Sequence, residues 1–445
     1  MAVPSWNLEP NEFRSALLKG LGRAVLHARE HPLSAEHQEA LRAACLEPNH
    51  WFNSDEEAVP WLLDIVDLAG MRDVVAGAVL AAVSHEGADH HHLCALLHGL
   101  DARGISGAKD ALYEVFRRTV GTEDIVPGWS ELLELDGWRV FERVGDILFA
   151  DEQRLLDLLD YPDDAPRTAA REALDKVTVP SARRNMLATA IEAVEAKRAA
   201  PKEDRAAILR AMSAADVLEA VRTPSDRRAA MIRGWSRVAS EPDLVQVAEA
   251  MFAEQSADRM ARLLMGFSAR SLPTFDERFL ALAEHEDEKV RHRALRALGN
   301  YGHPKVRDLA LRRLSAGDRD GNTINLFRLT YQPGDHVLFE PLFADVEDPD
   351  EMHDRGYDLL EVYDQNRVPE CSALVLRVYA ATPCSFCRER AVKILVEQHL
   401  APDWMIEECG NDAYEEIRRL VAPDEGDSSS LDRSSATSSG AAAHH

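Results

Sequence analysis

An all-α fold follows from three features of the sequence. Hydrophobic residues make up 46% of the chain but aromatic ones only 6%. The apolar set is therefore mostly Ala and Leu, which favour helices packed closely through small side chains. Runs of four to eight Val, Ile or Thr residues with strand alternation are nearly absent. The nearest, HVLFEPLF (336–343), reads equally well as a short helix. Finally, a nine-residue pattern with helical spacing recurs along the chain.

That pattern is clearest in VRHRALRAL (290–298). VRDLALRRL (306–314), PRTAAREAL (166–174) and CRERAVKIL (387–395) repeat its Arg, Ala and Leu positions. MHDRGYDLL (352–360), DRRAAMIRG (226–234) and MRDVVAGAV (71–79) are more diverged. Apolar residues at i, i+4, i+7 and i+8 form one stripe of a helix. The Ala positions admit a neighbouring helix closely, and the Arg at i+1 points off the stripe. Acidic or Pro residues stand just upstream, in EHEDEK and DPDE, where a helix starts. One helix pair cannot bury such a stripe alone, so the copies must stack.

The D-x-x-V-R-x-x-A-x-x-A-L form around Asp287–Leu298 resembles bacterial HEAT repeats, including the short HEAT-like variety of phycobilin-lyase-type proteins. The resemblance is strongest over 276–315, weaker over 160–240 and 349–400, and faint before residue 150. It implies a right-handed α-solenoid of stacked antiparallel helix pairs, with a curved face that binds other macromolecules and no catalytic residues. At about 40 residues per pair, the chain would hold roughly ten pairs.

The first 150 residues read as a divergent part of the same array. FRSALLKGLGRAVLHARE (13–30) is an amphipathic helix whose Gly20 and Gly22 suggest close packing against another backbone. AEHQEALRAACL (35–46) is a second helix, and AVPWLLDIVDLAG (58–70) pairs with the copy at Arg72. The expected divisions are 1–150, basic repeats over 151–240, repeats over 241–423, and a disordered Ser-rich tail at 424–445 that lacks any periodic face.

The net charge of −26 repels nucleic-acid phosphates and anionic membranes, and favours a partner with a basic surface. Residues 166–238 run against it, with 15 Lys/Arg and 9 Asp/Glu. Six scattered cysteines, an N-terminus without a signal-peptide pattern and no 18-residue apolar window point to a reduced, soluble, cytoplasmic protein.

Three stretches carry candidate chemistry. In ADHHHLCALLHGL (88–100), Asp89 caps a helix on which His90, Cys94 and His98 share an i, i+4, i+8 stripe, a candidate transition-metal set. Set against it is a histidine-rich helix edge at the solvent boundary. Within the basic segment, Arg183, Arg184, Arg227, Arg228, Arg233 and Arg237, with Trp235, are candidates for binding phosphates. HEAT-like DNA glycosylases for alkylated bases offer an architectural parallel. The plainer reading is Arg and Glu alternating on solvated helix faces. Last, TPCSFCRERAVKIL (382–395) holds the chain's one C-x-x-C. Aligned on the repeat, Cys387 takes the core place of Val290 and Cys384 the place of Asp287 in the first turn. Core packing is the expectation. A labile disulfide or a zinc site drawing on Cys371, His399 or Cys409 are the alternatives.

Phosphate-binding loops, dinucleotide fingerprints, H-E-x-x-H and G-x-S-x-G are all missing. The sequence therefore favours a non-enzymatic scaffold or adaptor binding a protein through its curved face, without a cofactor. A nucleic-acid-binding or glycosylase-like protein using 166–238 is one alternative, and a lyase-like enzyme on the same scaffold is another.

Overall fold

The structure, a computed structural model, describes residues 6–422 except 48–54, 86, 124, 177–180, 201–203 and 223–225, together with all but the side chains of 55, 56, 181 and 226–230. The tail at 424–445 lies outside the described residues. Those described are helical, without a strand. No described helix is long and apolar enough to cross a membrane.

All seven copies of the nine-residue pattern fall on helices, and their flanks explain where the helices begin. Asp287 caps Glu288–Leu298, accepting the Val290 N–H at 3.1 Å. Asp348 caps Pro349–Gln365 through the Glu351 N–H at 2.9 Å, with Pro349 in the first turn, where a missing N–H costs nothing. HVLFEPLF is the helix His336–Phe343.

Many helices pack on the next but one as well as on an immediate neighbour, and in the second half of the chain the former set forms a continuous layer. Glu288–Leu298 lies on Ala257–Leu264 and beside Gly321–Asn325. Pro349–Gln365 follows, then Ser385–Glu397, then Glu415–Val421. In this layer helices begin at 226, 257, 288, 321, 349, 385 and 415, in steps of 28 to 36 residues. The unit is thus shorter than the 40 residues expected. Pro304–Ser315 lies outside this series, so the two most similar copies, 290–298 and 306–314, are successive helices rather than equivalent ones in successive units.

One apolar core runs from Leu8 to Ile417. Hydrogen bonds cross the expected divisions, from Trp129 Nε1 to the Leu158 carbonyl and from Arg270 to the Ala239 carbonyl.

The N-terminal segment 13–30 is two helices, Pro10–Lys19 and Arg23–Glu30, not one. Gly20 ends the first in the left-handed region (φ 70°), which a Cβ would oppose. Gly22 does pack against another backbone, and that backbone comes from the far end of the chain, at Glu408 and Asn411. The Ala413 N–H donates to the Gly20 carbonyl at 2.9 Å, and Trp61 Nε1 donates to the Asn411 carbonyl at 2.9 Å. Arg23 grips Glu408 through two hydrogen bonds of 2.6 and 2.9 Å. The two end regions of the array therefore meet, through the start of Arg23–Glu30 and the end of Asp403–Cys409, and the array closes on itself. A cleft of about 790 Å³ follows this seam, between Trp61, Asp64, Asp412 and Arg418.

Candidate functional site

The layer containing Glu288–Leu298 is strongly concave. Helices pack about 8–10 Å apart, so a straight stack would hold the helices at 226 and 349, four steps apart, some 35 Å from each other. Instead Arg233, from the first, and Glu361, from the second, line one hollow of about 400 Å³.

That hollow is cationic. Arg233, Arg237, Arg293, Arg296 and Arg328 line it, against the single carboxylate of Glu361. Arg296 is engaged by Asp358, which lies just behind, and stands 3.7 Å from Glu361. Arg328 reaches the Asn300 side chain and lies 3.9 Å from Glu361. The charged neighbours of Arg293 are Arg233, Arg262 and Asp258, and burial together with the two like charges lowers its guanidinium below the usual value. Tyr357, 39% exposed, sits between Arg296 (5.4 Å) and Arg390 (5.5 Å). Burial lifts the Asp358 carboxyl to about 7 even though Arg296 faces it. None of the five arginines is the Arg at i+1 of the pattern, which in the copy at 290–298 is Arg291 and bonds the His285 carbonyl; Arg293 and Arg296 stand at i+3 and i+6, off the apolar stripe.

Of the arginines expected to bind whose side chains are described, Arg233 and Arg237 reach this hollow. Arg183 stacks 5.8 Å from the Phe149 ring, and Arg184 is exposed on the same helix. The side chains of Arg227 and Arg228 lie outside the described residues. Trp235 is fully buried, its Nε1 donating to the Met212 carbonyl at 3.0 Å, so it is a core residue and not a contact surface. Much of the remaining basic segment is neutralised locally. Arg171 pairs with Glu195, while Lys197 and Arg198 pair with Asp160. Sequence reasoning missed Arg293, Arg296 and Arg328 because it weighed charge by segment rather than by face.

His90, Cys94 and His98 do share the helix His90–Ala102, capped by Asp89. Cys94 faces the core with no exposure, beside Gly128, while His90 lies 3.9 Å from Glu123 and His98 lies 3.4 Å from Glu134. They form no common ligand cluster. The metal reading placed there finds no geometric support.

The C-x-x-C lies where the repeat predicts. Cys384 is the N-cap of Ser385–Glu397, as Asp287 is of its helix, and Cys387 faces the core. Neither is joined by Cys371, His399 or Cys409. The residue brought to them is His353, from the adjacent helix Pro349–Gln365, with Nδ1 3.5 Å from Cys387 Sγ. The ligand atoms of His353, Cys384 and Cys387 all lie within 4.8 Å of one another, the one such group among the described residues. The Cys387 thiol, directed at Cys384, lowers the Cys384 sulfur toward the thiolate and is itself held protonated. A sequence signal for His353 existed. Aligned copies place it one residue after the first apolar position, and the next copy along the layer carries Cys387 at that apolar position.

No protein-family profile, characterised protein or solved structure matches this chain.

Proposed function

We propose that this protein is a HEAT-type helical scaffold that binds an acidic segment of a protein partner through the arginine hollow of its concave face. The observation that carries this reading is the convergence of five arginines from three repeat units on one hollow with a single lining carboxylate. Desolvated guanidinium groups recognise carboxylates and phosphates in pairs, and concave walls focus their field. The net charge of −26 by itself favours a basic partner. The hollow is a built and local feature of opposite sign, so it weighs more. The same contrast argues against a long polyanion such as duplex DNA, whose phosphates beyond the hollow would meet a repelling surface.

Fluorescence anisotropy with an acidic peptide, a basic peptide of equal length and a short DNA duplex tests the reading. The acidic peptide should bind in a salt-dependent manner and lose its affinity on Arg293→Glu or Arg237→Glu. Preference for the basic peptide, or acidic-peptide binding that Arg293→Glu leaves unchanged, would overturn it. Stronger binding of the duplex would favour the nucleic-acid reading.

A further inference from the structure

We propose that Cys384, Cys387 and His353 form a site for a divalent transition metal of the zinc class, bound by two thiolates and one imidazole Nδ1. This inference does not rest on the proposed function. A tetrahedral ion with metal–sulfur bonds of about 2.3 Å and a metal–nitrogen bond of about 2.0 Å separates its ligands by about 3.8 Å between sulfurs and about 3.5 Å between sulfur and nitrogen. Cys387 Sγ and His353 Nδ1 stand 3.5 Å apart, and all three ligand atoms fit within 4.8 Å. The protein thus already holds the ligand spacing of such a site.

The chemistry of the set points the same way. Two sulfurs and an imidazole nitrogen suit zinc, and disfavour magnesium or calcium, which take oxygen ligands. Both thiols are nearly buried, at 6% and 3% exposure, which shields metal–sulfur bonds from competing water. His353 lies at the boundary and lines a cleft of about 780 Å³ in which five carboxyl groups, Asp320, Asp348, Glu351, Asp354 and Asp358, outnumber three guanidinium groups, Arg296, Arg319 and Arg355. Its acidic excess makes the cleft an approach route for a cation. Three protein ligands leave one position for solvent or for an incoming donor. The ion would tie the helix Pro349–Gln365 to the start of Ser385–Glu397, within the last repeats before the chain ends meet.

The test uses the full chain, stripped with a chelator under reducing conditions and titrated with Co²⁺ alone, followed by Zn²⁺ competition. One equivalent of Co²⁺ should produce a thiolate-to-cobalt charge-transfer band with tetrahedral ligand-field bands, and Zn²⁺ should displace it. Cys384→Ser and His353→Gln should each weaken binding by more than about a hundredfold, beyond the loss typical of an outer-shell change. His90→Gln and His98→Gln should leave it unchanged. His353→Gln removes the boundary ligand and spares the buried thiols, so it keeps the test decisive if Cys384→Ser fails to fold. Absence of the charge-transfer band, wild-type Co²⁺ affinity in His353→Gln, or recovery of the two cysteines only as a disulfide that binds no metal once reduced would each overturn the proposal.

Discussion

A Cβ on Gly22 would stand 1.9 Å from the backbone oxygen of Glu408, 386 positions further along the chain. The contact between the two ends is backbone on backbone, so no side chain can swing aside to relieve a larger residue. Gly22→Ala should destabilise the protein by about 3 kcal/mol, the upper range for overpacking. Gly77→Ala is the control. Gly77 lies inside Arg72–Ala82 with open space around its Cβ position, and the substitution should be neutral or stabilise by up to about 1 kcal/mol. Urea unfolding of the two variants checks both. Equal stability would mean that the seam is not closed in solution.

Arg388 and Asp412 form a second link beside the seam, both fully buried and 2.9 Å apart. The Tyr414 N–H also donates to Asp412 Oδ1. Burial raises the Asp412 carboxyl, so its charge depends on Arg388. Asp412→Ala should cost about 3–5 kcal/mol, because a guanidinium is left buried without its counter-charge. Arg388→Met combined with Asp412→Leu should cost clearly less than the two single changes added together. Additive losses in a double-mutant cycle would show that the two do not act as a pair.

Local rules reach far in this chain because helix caps and apolar stripes are local. Asp89, Asp287 and Asp348 each stand where the sequence predicts a helix start, and the Cys384/Asp287 equivalence survives to the cap geometry. What stayed hidden depends on how the layers curve. That Gly22 meets Glu408 and that Arg237 shares a hollow with Glu361 follow from small rotations summed over several units. No window of sequence records those rotations. Trp235 misled for a related reason. An aromatic among arginines suggests a binding surface by composition, yet its place in Asp226–Ser236 turns it inward.

The hollow should bind its anionic ligand more tightly as pH falls through about 7, the value to which burial raises Asp358. Arg296, Glu361 and Asp320 face this carboxyl, and Asp320 also pairs with His292 at 2.9 Å. Protonation removes a negative charge behind the hollow and frees Arg296 for the ligand. Affinity should change by roughly tenfold, the scale of one charge acting over about 10 Å near a protein surface. For folding the sign also follows from the raised value. The folded state keeps this proton where the unfolded chain has lost it, so the group's contribution is greatest below the ordinary 3.8 and is lost as pH rises to about 7. Asp358→Asn should hold the tight-binding form and abolish the pH step, while His292→Gln should retain it. A step unchanged in Asp358→Asn would assign it to another group.

Trp235→Phe separates the core role of this residue from a binding role. The indole is fully buried and donates to the Met212 carbonyl, which joins Asp226–Ser236 to the end of Arg205–Ala211. Phe keeps most of the apolar volume but leaves that carbonyl without its donor and a small void beside it. The cost should be about 1–3 kcal/mol in chemical unfolding. Affinity for an acidic peptide should be unchanged under conditions where the variant is fully folded, because the arginines of the hollow, not the indole, line the concave face. If affinity falls while stability holds, Trp235 touches the ligand after all and the hollow must extend beneath its helix.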